Sequence, residues 1–259
     1  MSLDHEDELV KHQSVSLDAF LGGKLVLAQP LRGFRAGLDS VILGAAVRPG
    51  SPLILDLGAG VGTAGLVALA HEPEAQGVLV ERDADMAALA AANCARNGLA
   101  QRAAVMTLDL TDPKVRDAAG LRRDGFSTII ANPPYYDDAR DLTPAPDRAG
   151  ARQMPGASLG RWVSAALTHA APRGEIIFIH QAAALPELLA LLSGKLGAIT
   201  VLPLSPRAGE AALRVLVRGI KGSRGPFTLL ASRALHTETG RGFSPDFDAI
   251  FKGNDRLHW

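Results

Sequence analysis

The stretch PLILDLGAGVGTAG, residues 52–65, decides the fold of this chain. It begins with a continuous apolar run, which is typical of a parallel strand buried on both faces of a sheet. Gly58, Gly60 and Gly62 then alternate with other residues, and a helical pattern begins behind them. Glycine lets a backbone turn sharply and approach a ligand without Cβ contact. The stretch predicts a strand, a glycine turn and a helix, with either a ligand loop or only a tight turn between strand and helix.

Strand and helix patterns alternate along the following chain, which is typical of a doubly wound α/β sheet. Seven strands are predicted, at 52–58, 77–82, 103–110, 126–134, 174–180, 197–206 and 211–222. Helices are predicted at 38–47, 62–72, 83–99, 159–171 and 185–195, with Asp39 as the cap of the first. The predicted fold is therefore a Rossmann-like, seven-stranded sheet whose last two strands form an antiparallel hairpin.

Two further segments flank this predicted domain, which spans residues 38–221. Residues 1–37 form an N-terminal extension in which the Gly- and Pro-split run 22–37 predicts a short hairpin. Residues 222–259 form a C-terminal tail with turn residues and little periodicity, for which only a short strand near 226–232 and packing on the domain are expected.

Composition excludes several classes of protein. With 259 residues and 47% hydrophobic content, the chain is long enough to bury a large core. Lys plus Arg and Asp plus Glu both number 27, so net charge gives no argument for a polyanionic partner. The single cysteine, Cys94, excludes an internal disulfide, and no ligand spacing predicts a metal site. Without a signal-peptide pattern or a long apolar span, we expect a cytoplasmic protein with no membrane partner.

Polar residues stand where four of the predicted strands end. Asp56, Glu81, Asp109 and Asn132 should line one crevice, because ligands of open α/β sheets bind outside the carboxyl ends of the strands. Glu81 follows the glycine loop by about twenty residues, where a carboxylate accepts the hydroxyls of a ribose. Asp109 is placed to accept from an adenine amine or to cap a helix. These spacings predict a nucleoside-shaped site.

The fourth of these strands runs into Asn132-Pro133-Pro134-Tyr135, followed by a second tyrosine. Two prolines cannot donate to a ladder or enter a helix interior, so the chain is held stiff there. The motif fixes an amide, a rigid carbonyl and an aromatic face beside the predicted nucleoside site, although a rigid surface turn would have the same sequence.

Taken in order, these motifs resemble the class I S-adenosylmethionine-dependent methyltransferases, and among them the amino-methylating group with an Asn-Pro-Pro-Tyr motif. The resemblance covers about residues 30–220. It implies S-adenosylmethionine as cofactor. The cofactor-binding residues it implies are Asp39, Asp56, Gly58, Ala59, Gly60, Gly62, Glu81, Arg82, Asp109, Leu110 and Asn132.

The same resemblance gives the motif a catalytic role. The Asn132 side-chain oxygen and the Pro133 carbonyl would accept the two N–H bonds of a planar NH2 group, Pro134 would hold the turn, and Tyr135 would stack on the target. The doubled tyrosine and the lead FRAGLDSVILGAAV, residues 34–47, look most like the bacterial valine-tRNA adenine-N6 methyltransferases. In that lead, Leu38 stands where the family has a threonine.

The resemblance implies a tRNA substrate, and three alternatives remain. A protein-glutamine N5 methyltransferase is expected to carry a helical domain ahead of the sheet, and an rRNA guanine-N2 methyltransferase a second copy of the fold. A non-catalytic RNA-binding module is the third. Two segments are candidate RNA contacts: the basic stretch 201–226, and the loop 137–156 with Arg140, Arg148 and Arg152. The basic stretch is equally compatible with a charge-guarded edge strand. The sequence leaves the oligomeric state open.

Overall fold

A computed structural model describes residues 15–33, 35–134 and 159–259. The elements in chain order are β1 (Val15–Phe20), β2 (Leu25–Pro30), α1 (Leu38–Ala45), β3 (Leu53–Leu57), α2 (Thr63–His71), β4 (Gln76–Glu81), α3 (Ala84–Arg96), β5 (Ala103–Thr107), α4 (Pro113–Ala118), β6 (Phe126–Ala131), α5 (Leu159–His169), β7 (Ala170–Gln181), α6 (Leu185–Leu192), β8 (Leu196–Ser205), β9 (Arg214–Lys221), β10 (Thr228–Leu229), β11 (Arg233–Ala234) and α7 (Pro245–Phe251).

The main sheet has the strand order β5-β4-β3-β6-β7-β9-β8, with β10 and β11 added in parallel along β8. Strands β3 to β7 are parallel to their neighbours among themselves, whereas β9 is antiparallel to both β7 and β8. The predicted doubly wound sheet of seven strands with a terminal antiparallel hairpin is confirmed. The two-residue strands β10 and β11 extend it at one edge.

Apolar layers cover both faces of this sheet. On β3, Ile54 belongs to the cluster that includes residues of α1, α2 and α7, whereas the adjacent Leu55 belongs to the cluster built with α5 and α6. Successive strand residues point to opposite faces, so a strand with helices on both sides needs an unbroken apolar run. This explains the LILDL sequence of β3, in which Ile54 and Leu55 are each at most 1% exposed.

The structure corrects several predicted elements. The N-terminal hairpin exists, but it pairs Val15–Phe20 with Leu25–Pro30 and therefore begins earlier than residue 22. Helix α1 has Gly37 at its N-cap, and Asp39 lies in its first turn without capping it. Helices α4 and α7 were not predicted. Each is preceded by a polar residue and has proline at its first position, which is a common start of a helix. The two pairs are Asp112-Pro113 and Ser244-Pro245.

The C-terminal tail packs against α1 and the α2–β4 turn. Leu257 donates its backbone N–H to the Ala45 carbonyl at 3.0 Å, and the Trp259 indole N–H donates to the Ala46 carbonyl at 2.9 Å. Arg256 forms an ion pair with Glu72, whose side chain is only 10% exposed. The tail thus supplies part of the covering of the first apolar layer, which includes Leu257.

The N-terminal hairpin is joined to the sheet layers by two asparagines, Asn93 on α3 and Asn97 at the C-cap of the same helix. The Asn93 carboxamide accepts from the Ala28 N–H at 2.7 Å and donates to the Ala28 carbonyl and to the Val61 carbonyl, both at 3.0 Å. One turn later, Asn97 exchanges the same pair of hydrogen bonds with Val26. The two side chains thus pair with β2 as a neighbouring strand would, and Asn93 also holds the glycine loop.

We expect Asn93→Ala to lower the free energy of unfolding by about 3 kcal/mol or more, because three buried backbone groups lose their partner. Asn93 is fully buried, so water does not replace the lost bonds. Arg96→Ala, an exposed position on the same helix, should change stability by at most about 0.5 kcal/mol. Urea unfolding of both variants measures this. Equal stabilities would contradict the role given to Asn93.

Candidate active site

The sheet brings the predicted site residues to one edge. Leu57 pairs with Ala131 across β3 and β6, so Gly58 and Asn132 leave the sheet from neighbouring strand ends. Glu81 pairs with Thr107 across β4 and β5, two residues before Asp109. The carboxyl ends of parallel strands meet at the same edge, where open α/β sheets bind ligands. The strand register therefore brings Asp56 and Asn132, which are 76 residues apart in the sequence, to the same end of the sheet.

The glycine loop turns over the end of β4. The backbone N–H groups of Gly58 and Ala59 both donate to the Val80 carbonyl, at 2.8 and 2.9 Å. Gly58 has φ +70°, and a Cβ there would lie 2.3 Å from the ring of Trp162 on α5. Any side chain at this position would be strained and would displace the indole. The backbone of the glycine loop therefore packs directly against Trp162 on α5.

Asp56 lies below this loop and is 2% exposed. Its Oδ2 accepts the Gly65 N–H at 2.8 Å, so the carboxylate sits at the N-terminal turn of α2. Burial raises the pKa of Asp56 to about 7, the Gly65 hydrogen bond opposes this rise, and the charge of Glu81 adds to it. In this position Asp56 holds the junction between β3 and α2, and its contact with a ligand stays a prediction.

Glu81 spans two loops with one carboxylate. Its Oε2 accepts the Gly60 N–H at 2.8 Å, and its Oε1 accepts the N–H groups of Arg82 and Asp83 at 2.8 and 2.9 Å. A carboxylate has about four acceptor positions, so Glu81 is fixed by three donors and retains acceptor capacity. The Arg82 side chain is exposed beside it.

A crevice with a volume of about 460 Å³ opens next to Asp109. It lies between the start of α4 and the side chains of Arg161 and Ser164 on α5. Asp109 Oδ1 accepts from the backbone N–H and the hydroxyl of Thr111, at 2.8 and 2.7 Å. The helix cap at this point is instead Asp112. Leu110 is 5% exposed. Asp109 therefore faces a cavity of ligand size rather than capping a helix.

The Asn-Pro-Pro motif follows directly on β6. Asn132 and Pro134 are half-buried and Pro133 is buried, so the turn is set into the sheet edge beside Gly58 rather than standing out from the surface. Tyr135, the second tyrosine and the loop 137–156 with Arg140, Arg148 and Arg152 lie outside the described residues. Asn132, Pro133 and Pro134 thus lie beside the glycine loop at the carboxyl ends of the strands, outside the lining of the 460 Å³ cavity. The role of Tyr135 stays a prediction.

Asp39 reaches the same edge from the N-terminal side. Its Oδ2 accepts from Nε of Arg214 at 2.9 Å. Arg214 pairs with Gln181 at the carboxyl end of β7. The lead before β3 is therefore tied to the crevice edge by an ion pair whose two side chains are 24% and 30% exposed.

The basic stretch 201–226 is only partly available as an RNA surface. Arg218 is 7% exposed and forms an ion pair with Glu175. Lys221 donates to Asp124 and to two backbone carbonyls, those of Leu167 and Ala170. These two cations make contacts within the fold, so neither belongs to a continuous solvent-facing basic patch.

The described residues hold neither a candidate metal cluster nor a membrane-spanning helix. No cluster of three or more His, Cys, Asp or Glu side chains with metal-binding geometry exists among them. None of the helices in residues 15–33, 35–134 and 159–259 is long and apolar enough to cross a membrane.

Residues 42–147 match the family model described as methyltransferase small domain. Over 120 residues the chain is 34% identical to a tRNA1(Val) (adenine(37)-N6)-methyltransferase of Citrobacter koseri, covering 46% of each chain. Over 82 residues it is 38% identical to a release factor glutamine methyltransferase of Caulobacter vibrioides, covering 32% of this chain and 26% of the relative. The matches thus span less than half the length of these curated relatives.

Among solved structures, a predicted O-methyltransferase from Agrobacterium tumefaciens superposes with a TM-score of 0.71 at 28% identity, over 85% of this chain and 98% of that one. Fold, glycine loop and strand-end carboxylates together define the class of S-adenosylmethionine-dependent methyltransferases. Within that class, residues 42–147 are similar to the methyltransferase small domain, and this match covers less than half of the chain.

Sequence reasoning missed three residues that shape the site. Trp162 packs on Gly58, Asn93 holds the Val61 carbonyl inside the glycine loop, and Arg116 lines the crevice at 4% exposure while donating to the Leu110 carbonyl. Trp162 and Arg116 lie on helices without any motif that marks them. Only Asn93 could have been noticed in the sequence, because it places a polar carboxamide among the alanines of α3.

As the pH rises, we expect the free energy of unfolding of the parent protein to fall more than that of the Asp56→Asn variant. The pKa of Asp56 is about 7 in the folded protein, against an ordinary value of 3.8 for this carboxyl group. Between these values the folded protein holds a proton that the unfolded chain has released, so raising the pH favours unfolding until the pH passes the folded pKa. From about pH 5 to about pH 8 the difference should amount to about 2 to 3 kcal/mol.

Urea unfolding of both proteins at the two pH values measures this difference, in which the other titrating groups cancel. Asp85→Asn, an exposed acid on α3, serves as the matched control and should follow the parent. The assignment is wrong if Asp56→Asn and the parent show the same change with pH.

Proposed function

We propose that this chain transfers a methyl group from S-adenosylmethionine to the exocyclic N6 amine of adenine in a tRNA. The observation that carries the proposal is the position of Asn132 and Pro133 at the end of β6, directly beside Gly58 of the glycine loop. An amine-binding turn and a nucleoside-binding edge then meet at one point.

The residues at the edge fit S-adenosylmethionine. Glu81 is fixed by three backbone donors and keeps acceptor capacity for ribose hydroxyls. Asp109 lines the 460 Å³ cavity, where a carboxylate accepts from an adenine amine, and Leu110 follows it in the chain. The remaining residues of this proposed site are Asp39, Asp56, Gly58, Ala59, Gly60, Gly62, Arg82 and Asn132. When bound, the cofactor supplies an electrophilic methyl group on a sulfonium.

The chain's own residues activate and orient the acceptor. The exocyclic nitrogen of adenine is a poor nucleophile, because its lone pair is delocalised into the ring. The Asn132 side-chain oxygen and the Pro133 carbonyl accept its two N–H bonds, which aims the lone pair at the methyl and stabilises the positive charge that develops during attack. The two prolines keep these acceptors fixed, so little reorganisation is needed during the reaction.

Two acceptors at one turn favour an amine over a hydroxyl. An NH2 group offers two donors to the paired oxygens of Asn132 and Pro133, whereas a hydroxyl offers one. A hydroxyl acceptor would leave one partly buried oxygen without a partner, which carries a free-energy cost. Tyr135 would add a stacking face for the planar base.

The choice of adenine in tRNA rests on similarity. The relatives named tRNA1(Val) (adenine(37)-N6)-methyltransferase, from Citrobacter koseri and Shewanella amazonensis, match over 120 and 121 residues at 34% identity. The relatives named for release factor glutamine methylation match over 82 and 98 residues. The longer match, 46% of this chain, supports the RNA substrate.

Glutamine N5 methylation of a release factor is the second candidate. The match to the Caulobacter vibrioides enzyme has the higher identity, 38%, and a glutamine amide also offers two N–H donors on a planar nitrogen. The same Asn132 and Pro133 oxygens would then bind the amide.

Labelled S-adenosylmethionine distinguishes these candidates. The protein is incubated separately with unmodified bulk tRNA and with purified release factor, and the label is followed into each. Label in tRNA that is recovered as N6-methyladenosine supports the proposal, and label in the release factor supports the second candidate. Binding of tRNA without transfer of label indicates a non-catalytic module, and N2-methylguanosine indicates a guanine enzyme.

We expect Asn132→Ala to reduce turnover by about a hundredfold or more while it binds cofactor and tRNA nearly as well as the parent. The Asn132 oxygen accepts mainly when the target nitrogen becomes cationic, so its removal affects the transition state more than the ground state, as does deleting one donor of an oxyanion hole. Single-turnover rates at saturating cofactor measure the effect.

Asn132→Asp is the matched variant, because a carboxylate still accepts from the amine; it should retain more activity than Asn132→Ala. Circular dichroism and calorimetric cofactor binding check that both variants fold. A parental single-turnover rate in Asn132→Ala would show that the amide has no part in the reaction.

A further inference from the structure

A second cavity lies at the opposite edge of the sheet from the crevice. It has a volume of about 270 Å³ and is bounded by the loop after α1, by Arg218 on β9 and by the final residues of the tail. Glu175, which pairs with Arg218, is six residues before Gln181 at the carboxyl end of β7. Arg218 itself pairs with Ile177, four residues before Gln181, so at 3.3 Å per residue this part of the cavity wall lies roughly 13 Å along β7 from the carboxyl end. This cavity is therefore distinct from the proposed methyl-transfer site.

The charges around this cavity do not balance. Glu175 lies behind its wall and forms ion pairs with Arg48 at 3.3 Å and with Arg218 at 3.6 Å. One carboxylate thus faces two guanidinium groups, which leaves one positive charge. Arg256, also on the wall, is neutralised by its own partner, Glu72. The excess positive charge is held partly away from water, where electrostatic interactions are strong.

The guanidinium of Arg218 is only loosely paired. Its side chain is 9% exposed, and its Nε lies 3.6 Å from Oε1 of Glu175, too far for a hydrogen bond. Nε and Nη1 of Arg218 and both carboxylate oxygens of Glu175 are buried without a hydrogen-bond partner. Nη2 makes one long hydrogen bond, 3.4 Å, to the Thr200 hydroxyl. Burial, together with the neighbouring charge of Arg48, lowers the pKa of Arg218 to about 10, and the charge of Glu175 opposes this shift.

Trp259 holds this guanidinium in place. The Arg218 carbon Cζ lies 4.4 Å from the centroid of the Trp259 ring, a cation–π contact. The indole is itself anchored through its N–H to the Ala46 carbonyl. A guanidinium stacked on a fixed ring presents its N–H groups at its edges, in the fork geometry that matches planar or tetrahedral oxyanions.

We infer that this cavity is an anion site that binds a phosphate group through Arg48 and Arg218. His258 also lies on the rim, where its Nε2 is hydrogen-bonded to Asp255 at 2.9 Å. The volume of about 270 Å³ exceeds the needs of a bare phosphate and leaves room for the carbon atoms of an ester. The phosphate belongs either to a free phosphate ester or to the backbone of a bound RNA, since both offer the same oxygens. The site does not depend on the proposed methyl transfer.

Calorimetry with the full chain, without cofactor and at constant ionic strength, tests this inference. Inorganic phosphate and glycerol 3-phosphate are the probes. We expect one saturable site with a Kd on the order of 1 mM. Arg48→Gln should raise the Kd at least about tenfold, because a charge-assisted hydrogen bond is lost. Arg123→Gln, an exposed arginine paired with Asp117, is the control and should stay within about twofold of the parent.

A second variant removes the charged wall without leaving a lone buried charge. Glu175→Leu combined with Arg218→Met replaces the ion pair by apolar groups of similar size, which proteins tolerate well, and it should abolish phosphate binding. Absence of saturable binding to the parent, or an unchanged Kd in Arg48→Gln, would overturn the inference.

A tRNA titration separates the two sources of phosphate. If Arg48→Gln also weakens tRNA binding, and the salt dependence of that binding falls by about one phosphate contact, the site holds the RNA backbone. If tRNA affinity is unchanged while glycerol 3-phosphate binds and loses affinity in Arg48→Gln, the site holds a free ester. Both results support an anion site.

Discussion

The carboxamide of Asn93 is the interaction on which the assembly of the proposed site depends. One fully buried side chain satisfies both backbone groups of Ala28 in the N-terminal hairpin and the carbonyl of Val61 in the glycine loop. The hairpin, helix α3 and the loop are thereby held in one arrangement, although Ala28 and Asn93 are 65 residues apart. The loop is closed from its other side by Trp162, which packs on Gly58. Local turn geometry alone would not fix either contact.

The sheet edge at the carboxyl ends of the strands carries several carboxylates close together, although the net charge of the protein is zero. Asp56 is desolvated strongly enough that its pKa rises to about 7, and the nearby charge of Glu81 contributes to that rise. Holding such groups together destabilises the free protein. Stability is given up at functional sites in many proteins, and a cofactor with donor groups at this edge would relieve the strain.

Basic groups collect at the other edge. Arg48 and Arg218 surround Glu175 there, and Trp259 supports the buried guanidinium. Carboxylates thus stand at the ends of β3 to β5, with Arg116, Arg161 and Arg214 near them, whereas at the other edge two guanidinium groups surround a single carboxylate. Each edge suits a ligand of a different kind: a nucleoside with hydroxyl and amine donors at one, and a phosphate at the other.

The sequence by itself determined the sheet, because helix and strand periodicities and the glycine loop are local signals. It also determined which residues stand at strand ends, and hence that Asp56, Glu81, Asp109 and Asn132 share one edge. Only the tertiary structure decided the partners of side chains. The basic stretch 201–226 was a candidate RNA surface, but β9 lies between β7 and β8, so Arg218 within that stretch is buried beside Glu175. Contacts between distant segments follow from packing, and no spacing along the chain encodes them.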